Sequence, residues 1–322
     1  MADSIKELQR EFSGNSFHLH TYMGVYEIRD RDEAVSIMVD KANIAADTIK
    51  NNYDCCVAYY DEHLLEISIE QRRLLGEFEP ALQNDEFVMY LQPQVKRDGA
   101  AKGAEALVRW VHPSRGILTP YAFIDILENA GLIYKLDLYI WEKAAQKLAE
   151  WKEKGYGSYH ISVNISTKDF YIIDIYETFT GLINKYGIAA SNLHLEITET
   201  TLMTDFEKNM NIIHKLQGVG FRVEIDDFGS GYSSLNMLKD ISADVLKIDM
   251  GFLRKSENEV KGQDILESII TLAGKIGMDV ITEGVETKKQ LDMLTMMGCH
   301  EFQGYYFSKP VPVSEFEEKY LV

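Results

Sequence analysis

Cysteine, proline and basic residues are all scarce in this chain. The three cysteines, Cys55, Cys56 and Cys299, cannot build a disulfide framework or a zinc cluster of ordinary spacing. They fit a reduced, cytoplasmic protein, with adjacent Cys55 and Cys56 as strand residues rather than a vicinal bridge. No run of about 18 apolar residues occurs, so no segment reads as a membrane span. The opening MADSIKELQREF is charged and amphipathic, which is not a secretory-signal pattern. Lys and Arg number 33 against 51 Asp and Glu, a net charge of −18. That balance argues against general binding to DNA, RNA or anionic membrane. It leaves room for an anionic substrate, because bound divalent metal inverts the local field. With six prolines and no Ser/Gly-rich linker, an N-terminal piece is expected to dock on the rest. What is present is an ordinary globular composition: 322 residues, 46% hydrophobic and 26% charged, enough to bury a full core.

Strand-like and helix-like patterns alternate along the chain. Residues 1–61 read as a small α/β segment. It has strands at 17–28 and 53–60 and a helix at 31–50 whose Ala34, Ile37, Met38, Ala42, Ala45 and Ile49 share a face. Residues 62–83 read as a charged helical linker, and residues 84–322 as one larger domain. Strands are expected there at 87–96, 103–111, 160–166, 193–200, 222–228, 245–250, 279–285 and 301–307, with helices between most of them, including 121–154 and 257–276. Eight strands over about 240 residues fit an α/β barrel. The first two are separated only by Asp98–Lys102, too short for a parallel crossover, so they predict an antiparallel hairpin. The expected fold is a modified TIM (β/α)8 barrel with one antiparallel strand, plus the small N-terminal α/β segment.

Strand side chains alternate between faces. Ile161, Val163 and Ile165 oppose His160, Ser162, Asn164 and Ser166; Leu193, Leu195 and Ile197 oppose His194, Glu196 and Thr198. Val223 and Ile225 oppose Arg222, Glu224 and Asp226; Leu246 and Ile248 oppose Val245, Lys247 and Asp249. Glu105, Leu107 and Arg109 share a face, as do Asp279, Ile281 and Glu283. The apolar sets predict contact with helices, and the polar sets point into the barrel, mostly near its C-terminal end, where barrel active sites lie. Converging carboxylates repel unless a cation joins them. Asn, Asp and Glu oxygens are hard ligands suited to Mg²⁺ or Mn²⁺, and adjacent Asp226 and Asp227 can serve two ions with one carboxylate bridging. Two-metal sites recur in phosphodiester hydrolysis. The histidines His112, His160, His194 and His214 show no metal spacing such as H-x-x-x-H and are assigned local polar roles. Trp110, Trp141 and Trp151 are assigned to packing.

EALVRW (105–110), VNIS (163–166), LEITET (195–200), DDFGSGYSSL (226–235), LKID (246–249), TEGVE (282–286) and FQGYYFSKP (302–310) resemble the EAL domain, a family of cyclic di-GMP phosphodiesterases. The resemblance covers roughly residues 80–320. It implies one metal held by Glu105, Asn164, Glu196 and Asp226, and a second held by Asp226 and Asp227. It implies that Lys247 sits beside the reacting water, and that Glu283 is either the general base or a ligand of the second metal. Gln303 would orient water, and Gln92, Arg109, Glu105 and Leu107 would contact substrate. Glu199 would fix the loop that starts DFGSGYSS, in which Gly229 and Gly231 allow tight turns and which in the family couples the site to a homodimer interface on the barrel. Asp169 stands where the family commonly has Gln, and Gly251 where it commonly has Ser. Residues 17–60 resemble, more weakly, the C-terminal part of a GGDEF domain without its signature, so no cyclase activity is implied. The implied reaction is hydrolysis of cyclic di-GMP to linear 5′-pGpG. The alternative is a receptor module that binds the dinucleotide without cutting it. The resemblance also implies a fragment of a longer tandem protein, which a parent's other segments could tether to a membrane.

Overall fold

The computed structural model describes residues 21–50, 56–228, 241–251 and 259–321, and the chain divides into two compact units, 1–79 and 80–322. The expected strand ends at 17–20 and 53–55 and residues 229–240, with Gly229 and Gly231 of the expected loop among them, lie outside the described residues.

In the first unit, strands β1 (Met23–Val25) and β2 (Val57–Tyr59) pair in parallel, connected through the helix Val35–Asp47. Ala45 is buried on that helix. A side chain at Gly24 would collide with the helix backbone at Ala42, so the close approach of strand and helix requires glycine there. Cys56 is buried just before β2. The charged segment after it forms the helix Glu62–Gln83.

The second unit is a closed barrel. Its strands are β3 (Phe87–Lys96), β4 (Ala101–His112), β6 (His160–Ile165), β7 (Leu193–Thr198), β8 (Arg222–Asp226), β9 (Val245–Asp249), β10 (Asp279–Glu283) and β11 (Glu301–Phe302). β3 is antiparallel to both of its barrel neighbours, β4 and β11, and the other pairings are parallel. One reversed strand closing the ring is what the short hairpin predicts. β5 (Gly116–Leu118) extends the sheet beside β4, and β12 (Val311–Pro312) pairs with β3.

The apolar strand faces are buried as the alternation requires. Ile161, Val163, Leu193, Leu195, Ile197, Val223 and Leu246 have no exposed surface. Trp110, Trp141 and Trp151 are wholly buried packing residues, with Trp141 against Phe179 at 4.5 Å between ring centres. The helix expected over 121–154 is two helices, Ile124–Ala130 and Ile133–Glu153. Gly131 adopts a left-handed conformation (φ 69°) at the end of the first and terminates it. The strand expected over 301–307 ends at Phe302, because the chain turns at Gly304, whose backbone packs so closely on Val285 that a Cβ would collide.

Candidate active site

Strand register brings the polar faces together. Asn164 is level with Glu196 across β6 and β7, Thr198 with Asp226 across β7 and β8, and Gln92 with Glu105 across β3 and β4. At their centre is Lys247, without exposed surface. Its Nζ lies 2.8 Å from Glu196 Oε1, 2.8 Å from Glu283 Oε1, 3.4 Å from Glu105 Oε2 and 3.5 Å from Asp226 Oδ1. Burial opposes the lysine's charge, but Asp226, Glu105, Glu196 and Glu283 outweigh it and hold its pKa well above the usual lysine range.

The carboxylates respond differently to the shared charge. Burial pushes Glu196 well above the carboxylate range, reinforced by Glu105. Burial raises Glu283 to about 8, with Lys247 acting against it. Glu105 is buried too, yet the Lys247 charge and hydrogen bonds from Gln303 and Asn164 bring it below its ordinary value. Gln303 Nε2 donates to Glu105 Oε2 (2.5 Å) and to Gln92 Oε1 (3.2 Å), and Asn164 Nδ2 donates to Glu105 Oε1 (3.1 Å). Trp141 Nε1 donates to the Asn164 carbonyl (2.9 Å), so a packing residue pins a site strand.

These donors suit hard cations. Four carboxylates surround one ammonium, which leaves excess negative charge. Among the described residues, Glu196 Oε2 is buried with no polar partner, and buried Glu196 Oε1 and Asp226 Oδ1 meet only the Lys247 ammonium they share with two other carboxylates. Buried acceptors without donors are costly, and oxygen-binding divalent cations match them. Asn164 spends its NH₂ on Glu105, which keeps its amide oxygen available. Asp227 follows β8 in the left-handed region (φ 56°), rare for a residue with a side chain. Strained backbone of this kind concentrates at functional positions.

A cavity of about 420 Å³ opens here, lined among others by Gln92, Glu105, Leu107, Glu283, Gln303 and Tyr305. Arg109 follows Leu107 on the same strand face, with its guanidinium 5.4 Å from the centre of the Tyr90 ring. Asp249 and Tyr305 also line the cavity and were not singled out as site residues from the sequence. Asp249 had the inward phase on β9. Tyr305 follows the turn at Gly304, where strand alternation carries no information. Glu199 is buried at the start of the helix Glu199–Thr204.

His160 and His194 meet local polar partners, Gln94 and Glu224, and adjacent strands also stack their rings in parallel at 3.8 Å. H-x-x-x-H counting misses a pair joined by strand register.

The EAL domain family model matches residues 76–310. The bifunctional diguanylate cyclase/cyclic di-GMP phosphodiesterase MucR of Pseudomonas aeruginosa is 32% identical over 272 residues, 84% of this chain and 39% of that protein. The cyclic di-GMP phosphodiesterase PdeR of Escherichia coli is 33% identical over 240 residues, 74% of this chain and 36% of that protein. The chain thus spans less than half the length of these curated relatives. The solved PaMucR phosphodiesterase in complex with c-di-GMP superposes with a TM-score of 0.72 at 33% identity, covering 76% of this chain and 99% of that one. The chain belongs to the EAL domain family.

Proposed function

We propose that this chain hydrolyses cyclic di-GMP to linear 5′-pGpG. The observation that carries the reading is the ring of Glu105, Glu196, Asp226 and Glu283 sharing the single buried Lys247 charge, with Glu196 Oε2 buried and without a partner among the described residues. Glu105, Asn164, Glu196 and Asp226 would hold one divalent cation and Asp226 with Asp227 a second, Mg²⁺ or Mn²⁺. Bound there, the ions supply an acidified water and charge stabilisation at the phosphoryl oxygens.

The remaining groups bind, orient and move protons. Gln92 and Leu107 line the cavity and would contact the dinucleotide. Arg109 presents a planar guanidinium able to pair with phosphate. Gln303 donates both observed hydrogen bonds through Nε2, leaving Oε1 unpaired to orient water. Lys247 keeps its proton and balances the carboxylates. Glu283, paired with Lys247 at 2.8 Å, would act as the general base toward the reacting water or as a ligand of the second metal. Glu199 would steady the loop after Asp227. In the same reading the protein is a cytoplasmic homodimer through the barrel, and residues 1–61 are a partial GGDEF-like segment without cyclase activity. Gel filtration with light scattering tests the dimer.

Incubating the protein with cyclic di-GMP and Mg²⁺ or Mn²⁺ and resolving the products tests the activity. The expected product is pGpG, abolished in the Asp226→Ala, Asp227→Ala variant. Binding without product would instead make the chain a receptor for the dinucleotide.

A further inference from the structure

The opposite end of the barrel carries a second cluster. His160 opens β6, four residues before Asn164. His194 is the second residue of β7, two before Glu196, and Glu224 lies two before Asp226 on β8. At about 3.3 Å per strand residue these groups lie roughly 7–13 Å toward the N-terminal end from the mouth residues on the same strands. One ligand atom from each of His160, His194 and Glu224 lies within 4.8 Å of the others, and all three residues are buried.

The cluster is built and incompletely satisfied. His194 Nδ1 is 2.5 Å from Glu224 Oε1, and His160 Nε2 is 2.7 Å from Gln94 Oε1. Ser162 Oγ donates to Glu224 Oε1 (3.2 Å) and to Gln94 Oε1 (3.4 Å). Glu224 Oε2 and Gln94 Nε2 are buried and have no hydrogen-bond partner among the described residues. A side chain at Gly103 would collide with the His160 ring, so the strand beside it is cut back to admit the imidazole. A cavity of about 490 Å³ reaches the cluster, giving an entry path and room for water. The cations at that cavity, Lys102 and Arg222, are already paired with Glu301 and Asp279.

We propose that His160, His194 and Glu224 form a binding site for a divalent transition metal of the zinc class, distinct from the hard-cation site at the other mouth. Two imidazoles and a carboxylate are a three-ligand zinc set, with the fourth position left to water from the cavity. Imidazole nitrogen selects zinc, cobalt, nickel or copper over magnesium. Burial, with His194 next, keeps the His160 pKa well below the usual histidine range, so this ring offers a lone pair. A cation there would meet a buried carboxylate oxygen that nothing else satisfies.

The test uses the full chain without an affinity tag, with excess Mg²⁺ to fill hard-oxygen sites, titrated with Co²⁺ as a spectroscopic substitute for zinc. The expected result is one equivalent bound, with the visible absorption of a four-coordinate nitrogen/oxygen site, displaced by Zn²⁺. The absorption should persist in Asp226→Asn and disappear in His160→Gln and in His194→Gln. Persistence in the histidine variants, loss in Asp226→Asn, or no cobalt absorption in the wild type would overturn the proposal. Should the histidine variants fail to fold, Cu²⁺ electron spin echo spectra of the wild-type protein decide it. Imidazole nitrogen coupling that survives replacement of His18, His20, His63, His112, His214 and His300 by Ala supports the site, and its absence there refutes it, since only His160 and His194 remain as imidazole donors.

Discussion

Lys247 is the residue on which the centre depends. Remove its ammonium and Glu105, Glu196, Asp226 and Glu283 face one another without a counter-charge. Removing one partner of a buried ion cluster typically costs about 3–5 kcal/mol. Lys247→Ala should lose that much by urea unfolding in chelator at pH 8 and less at pH 5, where protons replace the lysine. An equal loss at both values would mean that the carboxylates do not depend on it. Glu283 makes a companion prediction. Its folded pKa of about 8 lies above its unfolded value of about 4.5, so its contribution is fully present below about 4.5 and lost as pH rises through about 8. Glu283→Gln should flatten that decline and, if Glu283 takes the proton, lower kcat by about 10²–10⁴-fold. Strand alternation exposes Lys247 in the sequence, between Leu246 and Ile248, whereas Glu283 shares the phase of Asp279 and Ile281 but stands between Thr282 and Gly284, so its place in the TEGVE motif marks it more clearly than the alternation does. The same alternation places His160, His194 and Glu224 inward, but only the lateral register of three strands shows that they meet.

At the scale of elements, helices around the barrel are tied together by acids. The carboxyl group of Asp137 on the helix Ile133–Glu153 interacts with that of Asp169, which opens the short helix Asp169–Ile172 and whose Oδ2 accepts from the Ser166 amide (2.8 Å). Burial, and then Asp169, raise Asp137 well above the carboxylate range, and burial raises Asp169 from 3.8 to about 6. The folded state therefore keeps protons that the unfolded chain releases. Stability from this pair is full below about pH 4 and falls as pH rises through about 6 and beyond. Asp137→Asn keeps a donor to Asp169 and removes one titration. Its urea midpoint should fall less between pH 5 and pH 8 than that of the wild type, and parallel curves would refute the pairing. None of this is legible from spacing, since Asp137 and Asp169 are 32 positions apart on different helices. The strands were legible because a buried strand with one polar face repeats every two residues. β5 and β12, with three and two residues, are too short to show a period. The helix break at Gly131 was missed because an apolar helical pattern continues on both sides of it.

For the whole molecule, the closed ring of strands joins the two clusters, one at each end, into a single cooperative body. A cation that binds only the folded barrel stabilises it by about 2.7 kcal/mol at a hundredfold excess over Kd. For a domain of this size each kcal/mol moves Tm by about 2–4 °C. Mg²⁺ added to chelator-treated protein should therefore raise the barrel's unfolding temperature by roughly 5–10 °C at that excess. Because the chain has two compact units, the shift belongs to the barrel transition and should leave any separate transition of residues 1–79 in place. Simple screening of the net charge of −18 would also stabilise the protein, but it would respond to K⁺ at equal ionic strength and would not need Asp226 and Asp227. Calorimetry in Mg²⁺ and in matched KCl separates the two effects. A shift specific to Mg²⁺ and absent from the Asp226→Ala, Asp227→Ala variant supports a built cation site at the mouth, and equal shifts in both salts would reduce the carboxylate ring to a pairing for Lys247.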